Sequence, residues 1–353
     1  METNATLIIN VGSSSLKYSI YKNNLLFEEK DLIFTSQKKL KNYLEKIYSR
    51  NKKISKIVHR VVYGKDLPSP SKINRVLLEK LNLTIDLDPI HMKNSLFSIE
   101  FFLKNSKAKQ FACFDDDFHK TMDPEEKALP FSNSFTRKYN LKKYGFHGIA
   151  HESLLKESQM FLKRKFKKII TLQLGGGMSI CAIKNQKSFT TTMGYSPVGG
   201  KIMQKRSGDL DPEIIFHLKK KGLTLEKIKS IVESKSGLTE ISGLKNMKEI
   251  VQKRNKDKKA KLAYMVFVNE IKKQIGAYAA LMGGVDLIVF GGGTNNSKEL
   301  RRDIFTGLEF LGIKVDKNKI EEKLPEQISK GKTKVVIIKT DENKLMFEKC
   351  KNL

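Results

Sequence analysis

The sequence predicts an α/β protein made of two duplicated units, and three observations carry that prediction. Leu7 to Val11, the small-residue segment Gly12-Ser13-Ser14-Ser15 and Leu16 to Tyr21 read as strand, tight turn and strand. The same plan returns at Ile169 to Leu174, Gly175-Gly176-Gly177 and Met178 to Ile183, so Gly12 and Gly175 stand 163 residues apart in a chain of 353. A third apolar strand, Val285 to Phe290, runs into Gly291-Gly292-Gly293. The segment before it, Lys258 to Met282, has helical periodicity and good helix formers. At about 100 to 200 residues per domain, the length accommodates two such units.

The remaining elements follow from local pattern. Lys38 to Arg50 and Asn74 to Leu81 read as surface helices, and Lys219 to Lys235 as another, ahead of Ser236-Gly237-Leu238. The lysine-rich stretch Lys253 to Lys261 reads as the exposed start of the helix before the third strand. Two units that each open with a hairpin and a small-residue turn can offer backbone N–H groups to phosphate, which points to a nucleotide cleft between the copies. Glycine in a hairpin turn also has a purely steric use. Neither the P-loop pattern nor the dinucleotide-binding glycine fingerprint is present.

Composition excludes several classes. With 39% apolar and 30% charged residues the chain folds as a globular protein. The longest apolar runs, such as Val285 to Phe290 and Val335 to Ile338, are far shorter than the roughly 20 residues of a membrane span, so no membrane partner is expected. Leu7 to Ile9 is too brief for a secretory core, and Glu2 stands where basic residues would precede one; a cytoplasmic location is the expectation. Cys113, Cys181 and Cys350 form no paired motif and are expected to be reduced, the first two inside strands. The formal charge is 67 minus 38, or +29, but only nine of the 67 basic residues are Arg and the 58 Lys are spread from Lys17 to Lys351. Phosphate and base-edge recognition favours the planar Arg fork, so no specific nucleic acid partner is expected.

Four segments are richer in reactive types than a structural role requires: Val58-His59-Arg60-Val61-Val62, Phe114 to His119, Tyr144 to His151, and Gly194 to Asp211. Asn10-Val11-Gly12-Ser13-Ser14-Ser15-Leu16-Lys17, His59-Arg60-Val61-Val62, Tyr144-Gly145-Phe146-His147-Gly148 and Arg206-Ser207-Gly208-Asp209-Leu210-Asp211-Pro212 together resemble the acetate kinase family in order and approximate spacing. The similarity continues through Ser236 to Leu244 and Ile275 to Phe290 and so covers nearly the whole chain. The resemblance implies two actin-like (ribonuclease H-like) domains flanking a nucleotide cleft, with 1–119 and 343–353 in the first and 120–342 in the second. It also implies reversible phosphoryl transfer between ATP/ADP and acetate/acetyl phosphate, with Mg²⁺ as cofactor and Mn²⁺ as a substitute, in a homodimer. Acetate is ionised at neutral pH, so the protein must screen charge and align two anions rather than supply a general base.

By the same resemblance Arg60, Asp115, His147 and Arg206 are the catalytic residues. The two arginines bracket carboxylate and phosphoryl group, His147 donates to the transferring group, and Asp115 organises Mg²⁺ through water. Asn10 and Glu342 belong to the metal side, and Asn10, Arg60 and His91 to the substrate. Val62, Ile90, Phe146 and Pro197 would form the methyl pocket, although ordinary core packing accounts for such residues equally well. Asp88 and Met92, around His91, depart from the family's Ala and Asn, and Asp116 and Asp117 replace small residues. Three consecutive acids, Asp115 to Asp117, in so basic a chain read as a cation site. The nucleotide side comprises Ser15, Lys17, Gly175, Gly176, Gly177, Asn246, Lys248, Gly291, Gly292 and Gly293. It departs further: Gln173 and Gly176 replace a His and an Asn, Asn246 and Lys248 replace an Asp and an Arg, and the loop Gly293-Thr294-Asn295-Asn296 is one residue short. A short-chain carboxylate kinase for propionate or another acceptor, with an altered phosphoryl donor, and a nucleotide-binding paralogue impaired in turnover are the competing readings. Small and apolar residues of the long helix, Ala263, Ile271, Gly276, Ala279 and Ala280, are the candidates for the dimer contact, with packing inside the chain as the alternative.

Overall fold

The computed structural model describes residues 5–293, 297–316 and 324–353. The chain divides into two units, Met1–Phe118 with His147–Ser153 and Asp341–Leu353, and His119–Phe146 with Leu154–Thr340. Against the expected boundaries, the first unit also takes His147–Ser153, and its C-terminal piece begins at Asp341 rather than at residue 343.

In the first unit β1 (Ala5–Val11), β2 (Ser15–Lys22), β3 (Leu25–Ile33), β4 (Ile54–Val61), β5 (Ser71–Lys72) and β6 (Lys109–Phe114) form one sheet in the order β3-β2-β1-β4-β6-β5. β1, β4 and β6 run parallel, and β2 folds back antiparallel on β1. Every residue of β1 is buried, as expected for a strand covered on both faces. The period of two then sorts its side chains. Leu7, Ile9 and Val11 join a core with Leu40 and Leu44 of the helix Gln37–Arg50 and Phe101 and Phe102 of the helix Pro89–Asn105, whereas Ile8 joins Leu345, Met346 and Phe347 of the last helix, Glu342–Cys350. The C-terminal segment therefore completes the N-terminal unit, because without it one face of β1 would be bare.

The second unit repeats the plan. β7 (Lys168–Leu174), β8 (Met178–Lys184), β9 (Lys187–Thr191), β10 (Leu287–Gly291), β11 (Glu326–Gln327) and β12 (Lys334–Ile337) are ordered β11-β12-β10-β7-β8-β9. Reading from the third strand of each meander, the two sheets have the same order and the same senses. Each turn is closed by the N–H of its first glycine, Gly12 to the Ser15 carbonyl at 2.8 Å and, in a turn one residue shorter, Gly175 to the Gly177 carbonyl at 2.9 Å.

Three expectations need correction. The single helix over 219–235 is two, Pro212–Lys220 and Leu225–Ser234, because Gly222 adopts φ +92° and Thr224 caps the second through its side chain. Lys253 closes a separate helix, Met247–Lys253, and the long helix starts afresh at Lys258 behind its cap Asp257. On that helix Ala263, Ile271 and Ala279 are buried within the unit; Ala280 is exposed, as are Leu262, Met265 and Leu281. Cys113 and Cys181 lie in strands and all three thiols are free and buried. No helix among the described residues is long and apolar enough to cross a membrane.

Candidate active site

In the first unit the carboxyl ends of three neighbouring parallel strands converge, the place where open α/β sheets bind ligands. β1 ends near Asn10, β4 near Arg60 and β6 just before Asp115, whose N–H donates to the Val61 carbonyl at 3.0 Å and so prolongs the ladder. The Arg60 guanidinium grips Asp115 with two parallel bonds, Nε to Oδ1 at 3.0 Å and Nη2 to Oδ2 at 2.5 Å. Its Nη1 donates to Asn10 Oδ1 at 3.2 Å, and Asn10 Nδ2 donates to Glu342 Oε2 at 2.7 Å, at the first turn of the last helix. A continuous chain Asp115–Arg60–Asn10–Glu342 thus joins residues up to 332 positions apart. Burial alone would lower the Arg60 pKa, but Asp115, Glu342 and Asp88 outweigh it and hold the guanidinium charged. Burial pushes the Asp115 carboxyl up and Arg60 opposes it; the two-point contact keeps the pair ionised.

The acidic triplet is not one cation site. Asp116 is buried and accepts the Gly64 N–H on both oxygens at 3.2 Å, which ties down the loop after β4. Asp117 pairs with Lys349 at 3.4 Å, and Lys349 also meets Glu152 at 2.5 Å. Among the described residues no group of three His, Cys, Asp or Glu converges to ligate a metal directly. What remains is an all-oxygen set, Asn10, Asp115 and Glu342, already linked through Arg60. That chemistry fits a hard cation that keeps its waters and is held mainly through them.

His91 lies in the first turn of the helix Pro89–Asn105, and its Nδ1 meets both oxygens of Asp88 at 2.9 and 3.0 Å. One turn on, Asn94 Nδ2 donates to the Gly12 carbonyl at 3.1 Å and anchors the first small-residue turn. Val62 is buried, but Ile90 is 55% exposed. Ser15 opens β2, and Lys17 pairs with Glu29 at 3.5 Å.

His147 precedes the helix Gly148–Leu162 with φ +57°, a strained conformation for a residue with a Cβ. What enforces it is close packing. The Gly148 N–H donates to the Asp115 carbonyl at 2.7 Å, and a Cβ at Gly148 would stand 2.2 Å from that oxygen. The same aspartate that grips Arg60 with its side chain therefore seats His147 with its main chain. In the second unit His119, buried and pushed down to about pKa 4 by desolvation, bonds Ser188 Oγ at 2.8 Å and the carbonyl of Phe146, itself wholly buried, at 3.0 Å.

The second unit carries the other predicted residues. Arg206 donates to the Pro197 carbonyl at 3.3 Å, so these two are brought together, and Pro197 is buried. Their loop is clamped by Asp209, whose Oδ1 accepts the Gly200 N–H at 2.7 Å. At the end of β10, a side chain on Gly291 would strike Leu154, and one on Gly292 (φ +89°) would lie 2.2 Å from the Leu174 carbonyl, so both are demanded by packing. Gly293 is open and lines a cavity of about 550 Å³ with Met247, Lys248, Val251, Gln252, Arg254, Ser297 and Glu299, a volume within the range of small-molecule sites. Asn246 is spent on capping: its Oδ1 accepts the Glu249 N–H at 3.0 Å and its Nδ2 meets Glu249 Oε1 at 3.1 Å. Gln173 Oε1 accepts the Thr340 hydroxyl at 2.8 Å, whereas a Cβ at Gly176 would come no nearer than 3.8 Å to Gln204. Gly175 and Gly177 form the turn itself. Thr294, Asn295 and Asn296, of the shortened loop, lie outside the described residues.

The partners of Asp88 and Asn94 escaped sequence reading. The only available signal was spacing, i to i+3 from Asp88 to His91 at a helix start.

Comparison with known proteins identifies the chain's relatives. Residues 29–348 match the model of the acetokinase family. The acetate kinase of Thermoanaerobacter pseudethanolicus is 36% identical, over 98% of each chain. Among solved structures, a propionate kinase from Francisella tularensis superposes with TM-score 0.91 at 29% identity, covering 99% of this chain and 100% of that one. The Porphyromonas gingivalis acetate kinase gives 0.87 at 28%, covering 99% of both.

Proposed function

The chain belongs to the acetokinase family, and from that premise we propose that it transfers the γ-phosphoryl group of ATP reversibly to acetate, yielding ADP and acetyl phosphate, as a cytoplasmic homodimer. The observation that supports this reading most directly is the Asn10–Arg60–Asp115–Glu342 chain at the strand ends.

An acetate oxygen attacks the γ-phosphorus as the bond to the β–γ bridging oxygen breaks, and the electron pair leaves on ADP. Both reactants are anions, so the work is alignment and charge screening. Arg60, oriented by Asp115 and Asn10, presents a fixed fork to carboxylate or phosphoryl oxygens; Arg206 supplies a second and His147 a further donor. Asn10, Asp115 and Glu342 would hold Mg²⁺ through water. When bound, the ion neutralises charge on the β- and γ-phosphates. Incubation with ATP, acetate, Mg²⁺ and hydroxylamine is expected to yield acetyl hydroxamate only when all are present. Its absence would overturn the reading in favour of a nucleotide-binding paralogue.

A wider acceptor range is favoured by one observation, the exposure of Ile90, since apolar contacts discriminate one methylene weakly. Relative kcat/KM for acetate and propionate decides between them.

On the donor side Gln173 Oε1 and both polar atoms of the Asn246 amide are engaged inside the protein. Losing two or three hydrogen bonds of about 1 kcal/mol each predicts an ATP KM raised roughly 30- to 150-fold, with GTP, and pyrophosphate to a lesser degree, competing well. Comparing kcat/KM for the three donors at saturating acetate is the test; a strong preference for ATP with an ordinary KM would overturn it. For the dimer, the outer face of the long helix, with Leu262, Met265, Ala280 and Leu281 exposed, is the surface available. Light scattering that returns one 40.3 kDa chain would refute it.

A further inference from the structure

We infer that Asp88 is a positioning residue that fixes the His91 ring, an inference that rests on the phosphotransfer proposed above. The carboxylate does two jobs at once. As the cap of the helix Pro89–Asn105 its Oδ1 accepts the His91 backbone N–H at 3.2 Å, and both oxygens face His91 Nδ1 at 2.9 and 3.0 Å. The residue is buried and the His91 side chain only 18% exposed, so the ring has little room to rotate. A carboxylate can only accept, so Nδ1 donates to Asp88 and the Nε2 edge of the ring is the one turned outward.

The dyad also sits within the electrostatic reach of the strand-end cluster. Asp88 acts on Arg60, and His91 acts on Asp115. Asn94, on the next turn of the same helix, holds the Gly12 carbonyl. One helix start therefore sets both the imidazole and the first small-residue turn.

The test separates capping from orientation. Ser is as good a helix cap as Asp but too short to reach Nδ1, whereas Asn caps and still reaches. Asp88→Ser is expected to keep the wild-type melting temperature and lower kcat/KM about 10-fold, in line with the loss of an outer partner from a functional histidine, and Asp88→Asn to recover most of it. In the His91→Ala background Asp88→Ser is expected to cost nothing further, since the effect runs through the ring. ¹⁵N-histidine NMR is expected to show His91 Nδ1 protonated and hydrogen-bonded in the wild type and to show that bond lost in Asp88→Ser. Wild-type kinetics in Asp88→Ser, an undiminished loss without His91, or a wild-type Nδ1 that carries no proton would each overturn the inference. A wild-type protein that forms no acetyl hydroxamate would overturn the functional reading alone, because the ring proton is read without turnover.

Discussion

Arg206→Ala is expected to lower kcat by two orders of magnitude or more with the melting temperature nearly unchanged. Arg206 is only half-buried, and it donates to the Pro197 carbonyl and the Met203 sulfur. The transition state loses a charged fork aimed at charge that develops between two anions. Arg60 requires a different variant. Asp115 is 1% exposed, and Arg60→Ala would leave a buried carboxylate without its counter-charge, at a cost of about 3 to 5 kcal/mol in stability. A fall in activity would then be ambiguous. Arg60→Lys keeps the positive charge and gives up the two-point contact with Asp115 and the bond to Asn10. It is expected to fold and still lose 10²-fold or more in kcat. Steady-state kinetics beside thermal unfolding make the comparison, and full activity in Arg60→Lys or Arg206→Ala would remove that arginine from the mechanism.

Chelation of divalent cations is expected to reduce turnover to background, and addition of Mg²⁺ or Mn²⁺ to restore it. The expectation follows from the oxygen-only donor set at the strand ends and from the absence of any directly ligating cluster among the described residues. An ion held largely through water is bound weakly, so a chelator strips it readily. Glu342→Gln sharpens the test. The amide can still accept the Asn10 bond, so the last helix stays docked, but one negative charge is lost. The Mg²⁺ concentration for half-maximal activity is expected to rise about tenfold while kcat at saturating Mg²⁺ changes little. Turnover that persists with excess chelator would count against Asn10, Asp115 and Glu342 together.

What could be read in the chain and what could not divides along a physical line. The hairpins, their repeat and the long helix were visible because periods of 2 and 3.6 and turn glycines are local properties. Arg60, His147 and Arg206 were visible because each stands in a short motif. The acidic triplet looked uniform in sequence and proved to be three different things. Asp115 opposes Arg60 across two strands, Asp116 holds the Gly64 amide, and Asp117 meets Lys349 from the far end of the chain. Asn246, read as a departure in a ligand site, caps its own helix through Glu249, three residues on, whereas Gln173 meets Thr340, 167 positions away. Buried polar groups must be paired, but the pairing obeys no spacing rule when the partner is brought from 50 or 300 residues away. Local pattern alone determined the duplicated α/β plan and the residue types able to do the chemistry. Tertiary packing alone decided which carboxylate faces which cation, because that choice depends on which strand ends and helix starts the sheet carries side by side.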